Sequence, residues 1–242
     1  MHAALIMFTI ATISWSLWVR RLTWTCNQEL AASLNIALQG GAVILMSPFA
    51  SETVGAWLHK WTGMHNLEDL IAHDLYIIAA SAIIIDALYR LDVNLEEKFR
   101  KFVELPATLV IPAMITVFTA GDAVDDYRAD FFRLPVTDWW MMSYWLILCG
   151  MLAYLLLYSF RALVPLWRER ESRLIASVYM FATASGVTAC GARIITAQLP
   201  LKDQDTLWAS MVVWTPAALC GTIFAAAAGR SWIDQARRLI SA

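Results

Sequence analysis

The chain has 242 residues, 60% hydrophobic and only 16% charged, with a formal net charge of −2 and a mean hydropathy of +0.57. A soluble domain of this length carries more charge, and a nucleic-acid-binding chain concentrates basic residues on one face; neither pattern is present. The apolar residues come instead in blocks of about 20, the length a helix needs to cross the hydrocarbon core of a bilayer.

Seven such blocks predict an all-α polytopic membrane protein, a single domain over residues 1–242 with spans near 3–22, 30–50, 69–91, 102–121, 139–166, 174–199 and 207–228. No basic stretch precedes the first block, and Arg20 and Arg21 follow it. That is the reverse of a secretory signal, so the block is expected to be a retained helix. The second block holds Asn35, Gln39 and Gly40-Gly41 and ends at Pro48. Its amides can hydrogen-bond between helices, and its glycines let a neighbour approach. Residues 51–65 are too polar to span, yet Val54, Trp57, Leu58 and Trp61 make one apolar stripe, which predicts a short interfacial helix.

Asn66 reads as the N-cap of the third span. Pro106 and Pro112 predict kinks in the fourth. A loop bearing Asp122, Asp125, Asp126, Asp130 and Asp138 follows and is expected to be solvated. Trp139, Trp140, Tyr144 and Trp145 then open the fifth span as an interfacial aromatic cluster. Cys26, Cys149, Cys190 and Cys220 have no CxxC spacing and read as small, buried apolar side chains.

Basic residues fall unequally on alternate sides. One side collects Arg20, Arg21, Arg90, Lys98, Arg100, Lys101, Arg161, Arg168, Arg170, Arg173, Arg230, Arg237 and Arg238; the other has Lys60, Arg128, Arg133 and Lys202. The positive-inside rule places the N-terminus outside and the C-terminus in the cytoplasm of a cell (cytoplasmic or inner) membrane. No room for a soluble effector domain is expected after Arg238.

Ionisable groups at membrane depth normally face protein or a wet cavity, so His73, Asp74 and Asp86 mark the third span as interior. Asp74 and Arg193 sit at similar depth near the outer ends of the third and sixth spans. Either they pair, or Arg193 snorkels to the interface. Asp86 either pairs with Arg90 one turn later or lies on an ion path with Asp74 and His73. Asp74 and Asp86 are about 120° apart around the helix, which argues against a single-file relay. His65, Asp69 and His73 recur every four residues and on a continuous helix would offer a His-Asp-His metal set; an N-cap at Asn66 would leave His65 outside. In the seventh span Ala217, Gly221, Ala225 and Gly229 form a small-residue stripe, expected to pack within one protomer on Ala182, Gly186 and Cys190 of the sixth.

The run HNLED at His65–Asp69 resembles the HNxxD run of the zinc-iron transporter family, which implies metal ligation there, although Leu70 stands where that family has glycine. The longer stretch from Gly63 to Leu88, GMHNLEDLIAHDLYIIAASAIIIDAL, resembles a group of actinobacterial seven-helix membrane proteins described only in general terms, as transporters. The seventh span has no lysine for a retinal Schiff base. No GxSxG, HExxH, Walker A or GxGxxG motif stands in a suitable context, so neither a cofactor nor enzymatic activity is expected. Two function classes follow. One is a small transporter, or ion- or proton-translocating protein, with a path lined by Asp74, Asp86, His73, Arg193, Gln39 and Asn35 and an ion or small molecule as substrate. The other is a non-catalytic interaction or receptor-like protein, such as a partner subunit or phage-exclusion factor, meeting a protein partner through its outer loops.

Overall fold

The computed structural model describes residues 2–90, 97 and 99–241; the side chains of residues 2, 27, 28, 86, 87, 89, 90 and 238–241 fall outside that description. Among the described residues there is no strand. The main helices are α1 His2–Val19, α2 Asn27–Leu45, α3 Pro48–Thr62, α4 Leu67–Arg90, α5 Arg100–Ala120, α6 Trp139–Arg168, α7 Arg173–Thr196 and α8 Leu207–Ser241. α5, α6, α7 and α8 are each long and apolar enough to cross a bilayer. α2 and α3 meet that standard only together and bend by 64° at their break, where Ser47 caps Pro48–Ala50. Four helices, or five counting the bent pair, therefore have the length and composition of a span, against the seven expected. α1 is apolar but shorter, and α4 is diluted by Glu68, Asp69, His73, Asp74 and Asp86.

Packing explains why α4 tolerates those residues. α1 packs on α2, α2 on α4, α4 on α6, α6 on α7, α7 on α8, and α8 back on α1. Six helices thus close a ring, and α5 lies outside it against α6, largely unburied. α3 leaves the ring with Phe49, Trp57 and Trp61 exposed, the apolar surface expected of an interfacial segment.

The corner between α3 and α4 is set by backbone conformation. Gly63 ends α3 at φ 76° and donates its N–H to the His59 carbonyl. Asn66 then turns the chain at φ 58°, a left-handed value that asparagine tolerates better than most residues. Its carbonyl accepts from Leu70, but its side chain does not cap α4. The amide instead donates to the carbonyls of Ala123 and Asp126, and its oxygen accepts from the Arg128 N–H, bolting α4 to the loop after α5.

That acidic loop is paired rather than simply solvated. Asp138 caps α6 and accepts from Asp122 N–H; Asp122 accepts from Thr137. Arg128 and Arg133 both pair with Asp205, and Asp130 accepts from Ser210 and Trp214 on α8.

At the opposite end Arg20 is not a solvated loop charge. It is 1% exposed, pairs with Glu29 at 2.9 Å, and donates to Ser33 and to the Ala228 carbonyl, joining α1, α2 and α8. The α8 stripe also faces elsewhere than expected. A Cβ at Gly221 would meet Gln39 and Thr9, one at Gly229 would meet Trp15 and Ser16, and Ala225 clusters with Ile13 and Ile36. The stripe thus receives α1 and α2, because those helices carry the bulkier side chains that fill a small-residue groove. α7 meets α8 on another face, through Gly186 against Cys220 and Tyr179 against Phe224.

Candidate functional site

His73 sits in an aromatic block. Phe131, Phe132, Tyr144 and Trp145 surround its ring at centroid distances of 5.7, 6.4, 5.8 and 5.4 Å. The block forms because the loop residues Phe131 and Phe132 fold inward between α4 and the first turns of α6. Tyr144 Oη lies 2.7 Å from His73 Nδ1, while Nε2 is buried without a partner. Arg193 of α7 lies over the Trp145 ring at 4.1 Å and is 1% exposed. It therefore does not snorkel, and no ion pair joins it to Asp74 among the described residues. Its guanidinium donates to the Leu134 carbonyl and the Thr196 hydroxyl at 3.4 and 3.5 Å, and its Nε has no partner.

His73, Trp145 and Arg193 line the part of a cavity of about 110 Å³ within the ring that lies toward the loop between α5 and α6. The remaining wall is mostly apolar and comes from α4, α6, α7 and α8, with Gln39 of α2 and Tyr76 of α4 as further polar contributors. Cys149, Cys190 and Cys220 also line it, so three residues read as plain core sit on the cavity wall. A second cavity of about 130 Å³ lies toward the other end, between residues such as Asn35, Leu166, Ser172, Tyr179 and Ser231. Ile83 borders both. Beside it, Gln39 of the first cavity donates to Asn35 of the second at 2.9 Å. The two cavities thus share Ile83 as a wall residue and are linked by the Gln39–Asn35 hydrogen bond.

The other expected residues are placed as follows. Asp74 is half-buried, with one carboxylate oxygen unpartnered, and lines neither cavity. The Asp86 side chain lies outside the described residues. His65, Asp69 and His73 are not brought together, because the turn at Asn66 takes His65 off the α4 face. His65 stacks on His59 with ring centroids 3.7 Å apart, and burial followed by the neighbouring His59 lowers its pKa below 6.5. Asp69 is buried at the start of α4, next to the equally buried Glu68. Among the described residues no group of three or more His, Cys, Asp or Glu side chains is arranged to hold a metal ion.

A buried guanidinium, an imidazole and an indole, each with an unpartnered nitrogen and all on the wall of one largely apolar cavity, can orient a small molecule by its polar end. No protein family, curated protein or solved structure matches the chain.

Proposed function

We propose that the protein is a small membrane transporter, with seven spans, an external N-terminus and a cytoplasmic C-terminus, whose substrate passes through the helix ring by way of the two cavities. The observation that carries this reading is that two cavities of the helix ring share Ile83 as a wall residue and are linked by the Asn35–Gln39 hydrogen bond. Alternating access needs a site near the middle of the bundle with a thin barrier on its path. A protein that acts only through its outer loops needs no chambers directed toward both ends. The excess of Lys and Arg at the end bearing Arg20, Arg168 and Arg230 supports the orientation. Four of the expected path residues, His73, Arg193, Gln39 and Asn35, contribute to the cavity walls.

The test is accessibility to a small membrane-impermeant thiol reagent, in a background with the four native cysteines replaced. Ala217→Cys, in the first cavity, is expected to be labelled from outside, and Ala228→Cys, in the second, from the cytoplasmic side. Adding Ile83→Ala should make each reachable from the opposite side. Folded protein in which neither cysteine is labelled from either side would overturn the proposal.

A further inference from the structure

We infer that the molecule seated in the first cavity is a compact organic monoanion, a carboxylate with a short apolar body, held at its charged end by Arg193 and His73. Its role as transported substrate rests on the two-cavity reading above; its binding does not. The argument starts from charge. Arg193 is 1% exposed and has no ion-pair partner among the described residues. Its partners are neutral: one carbonyl, one hydroxyl and the face of Trp145. Asp130, whose charge acts on it, is engaged by Ser210 at 2.6 Å and Trp214 at 3.3 Å and does not line the cavity. A charge taken out of water calls for an opposite charge with hydrogen bonds to match.

The unmatched polar atoms have a common character. Arg193 Nε and Trp145 Nε1 are donor-only nitrogens, buried and without partners. His73 Nε2 is the third such atom, and it donates in the tautomer where Nδ1 accepts from Tyr144. Donors beside a guanidinium suit an acceptor-rich anion, and a carboxylate is the planar group a guanidinium binds best. Among the described residues neither Lys nor a second Arg lines the cavity, so a dianion would keep one charge unpaired there. Among the same residues Asp and Glu are absent from its wall. Beyond the polar end, Ala79, Ala80, Leu148, Leu152 and Val213 offer only apolar contact, which a halide or other bare inorganic anion would leave unused. Size sets the upper limit. A cavity of about 150 Å³ accommodates benzene, and this one, at about 110 Å³, suits a short branched chain rather than an aromatic ring.

The test compares isosteric ligands on the intact, detergent-solubilised protein, read by Trp fluorescence and by thermal shift. Isobutyrate and trimethylacetate are the probes, each against its neutral amide and against an amine of the same shape. At least one carboxylate is expected to bind ten-fold or more tightly than its amide, with no binding of the amine and none of chloride at equal concentration. Arg193→Gln should weaken that binding at least ten-fold, and Arg193→Lys should restore part of it. Should Arg193→Gln fail to fold, the wild-type carboxylate-to-amide ratio still decides. Equal binding of carboxylate and amide, preference for the amine, or no carboxylate binding at all overturns the inference. A carboxylate that binds but does not cross proteoliposomes leaves the inference standing and removes transport; uptake of another solute without carboxylate binding does the reverse.

Discussion

Asn35 on α2 donates from Nδ2 to the carbonyl of Ala79 on α4 at 2.7 Å, while its own oxygen accepts from Gln39. One amide therefore fastens two ring helices and orients the residue that faces the first cavity. Asn35→Ala removes both bonds and strands the Gln39 amide, which is expected to lower stability by about 1–2 kcal/mol. Thermal unfolding in detergent checks this, and an unchanged Tm would refute it.

The Arg20–Glu29 pair is expected to behave asymmetrically. The Arg20 side chain is 2% exposed and the Glu29 side chain 11%. Glu29→Ala leaves a deeply buried guanidinium without its counter-charge, at a cost of about 3 kcal/mol. Arg20→Leu should cost less, and Arg20→Leu combined with Glu29→Leu should unfold at a higher temperature than Glu29→Ala. A double variant less stable than both single variants would contradict this account.

Gly221 leaves no room for a larger side chain. An added Cβ would stand 3.0 Å from Gln39 Oε1 and 3.8 Å from Thr9 Cγ2. Gly221→Ala should cost about 1 kcal/mol and Gly221→Leu more than 2 kcal/mol, because the clash is internal to the ring. Size-exclusion chromatography with thermal unfolding separates this from an oligomer contact. A monomer with unaltered Tm, released from a larger assembly, would place the stripe at an interface instead.

The corner between α3 and α4 should loosen in acid. Burial and then His59 hold the His65 pKa below 6.5, with smaller opposing effects from Asp125 and Asp126. A lowered histidine pKa means the unfolded corner binds more protons between the folded value and 6.5. Its contribution is thus complete above about pH 6.5 and is lost as pH falls toward the folded pKa. The protection factors of the amides across residues 59–66, taken relative to the intrinsic exchange rate at each pH, should fall from pH 7.5 to pH 5, and His59→Gln should blunt that change. Identical protection at both pH values would exclude the mechanism.

Sidedness has its own measurement. A reporter fused after Ala242 is expected in the cytoplasm, and Lys202→Cys is expected to be labelled from outside intact cells. Labelling of Lys202→Cys only after permeabilisation would invert the arrangement.

What the sequence reveals here is local. The apolar blocks mark the helices, Pro48 marks the break after α2, and Val54, Trp57 and Trp61 mark the exposed apolar segment. Contacts across the ring are not local and are not legible. Arg20 reads as a loop charge because its partner carbonyl is 208 residues away, and Asn66 reads as a cap because its acceptors lie beyond α5. The Ala217–Gly229 repeat identifies a groove but not the helix that fills it. His73 and Arg193 stand out as costly residues in apolar spans, yet nothing in their spacing shows that they share one chamber. Cys149, Cys190 and Cys220 give no signal at all, since a small apolar side chain suits a cavity wall as well as a packed core.

α8 passes several of the features described above. Ser210 and Trp214 hold Asp130, Val213, Ala217 and Cys220 border the first cavity, Phe224 and Ala228 border the second, and the Ala228 carbonyl receives Arg20. Pro216 interrupts its hydrogen-bond ladder, leaving the Val212 carbonyl without the usual amide donor. The helix is a wall common to the Asp130 contact, both cavities and the Arg20 anchor, so a substitution along this one element reaches the two ends of the ring together.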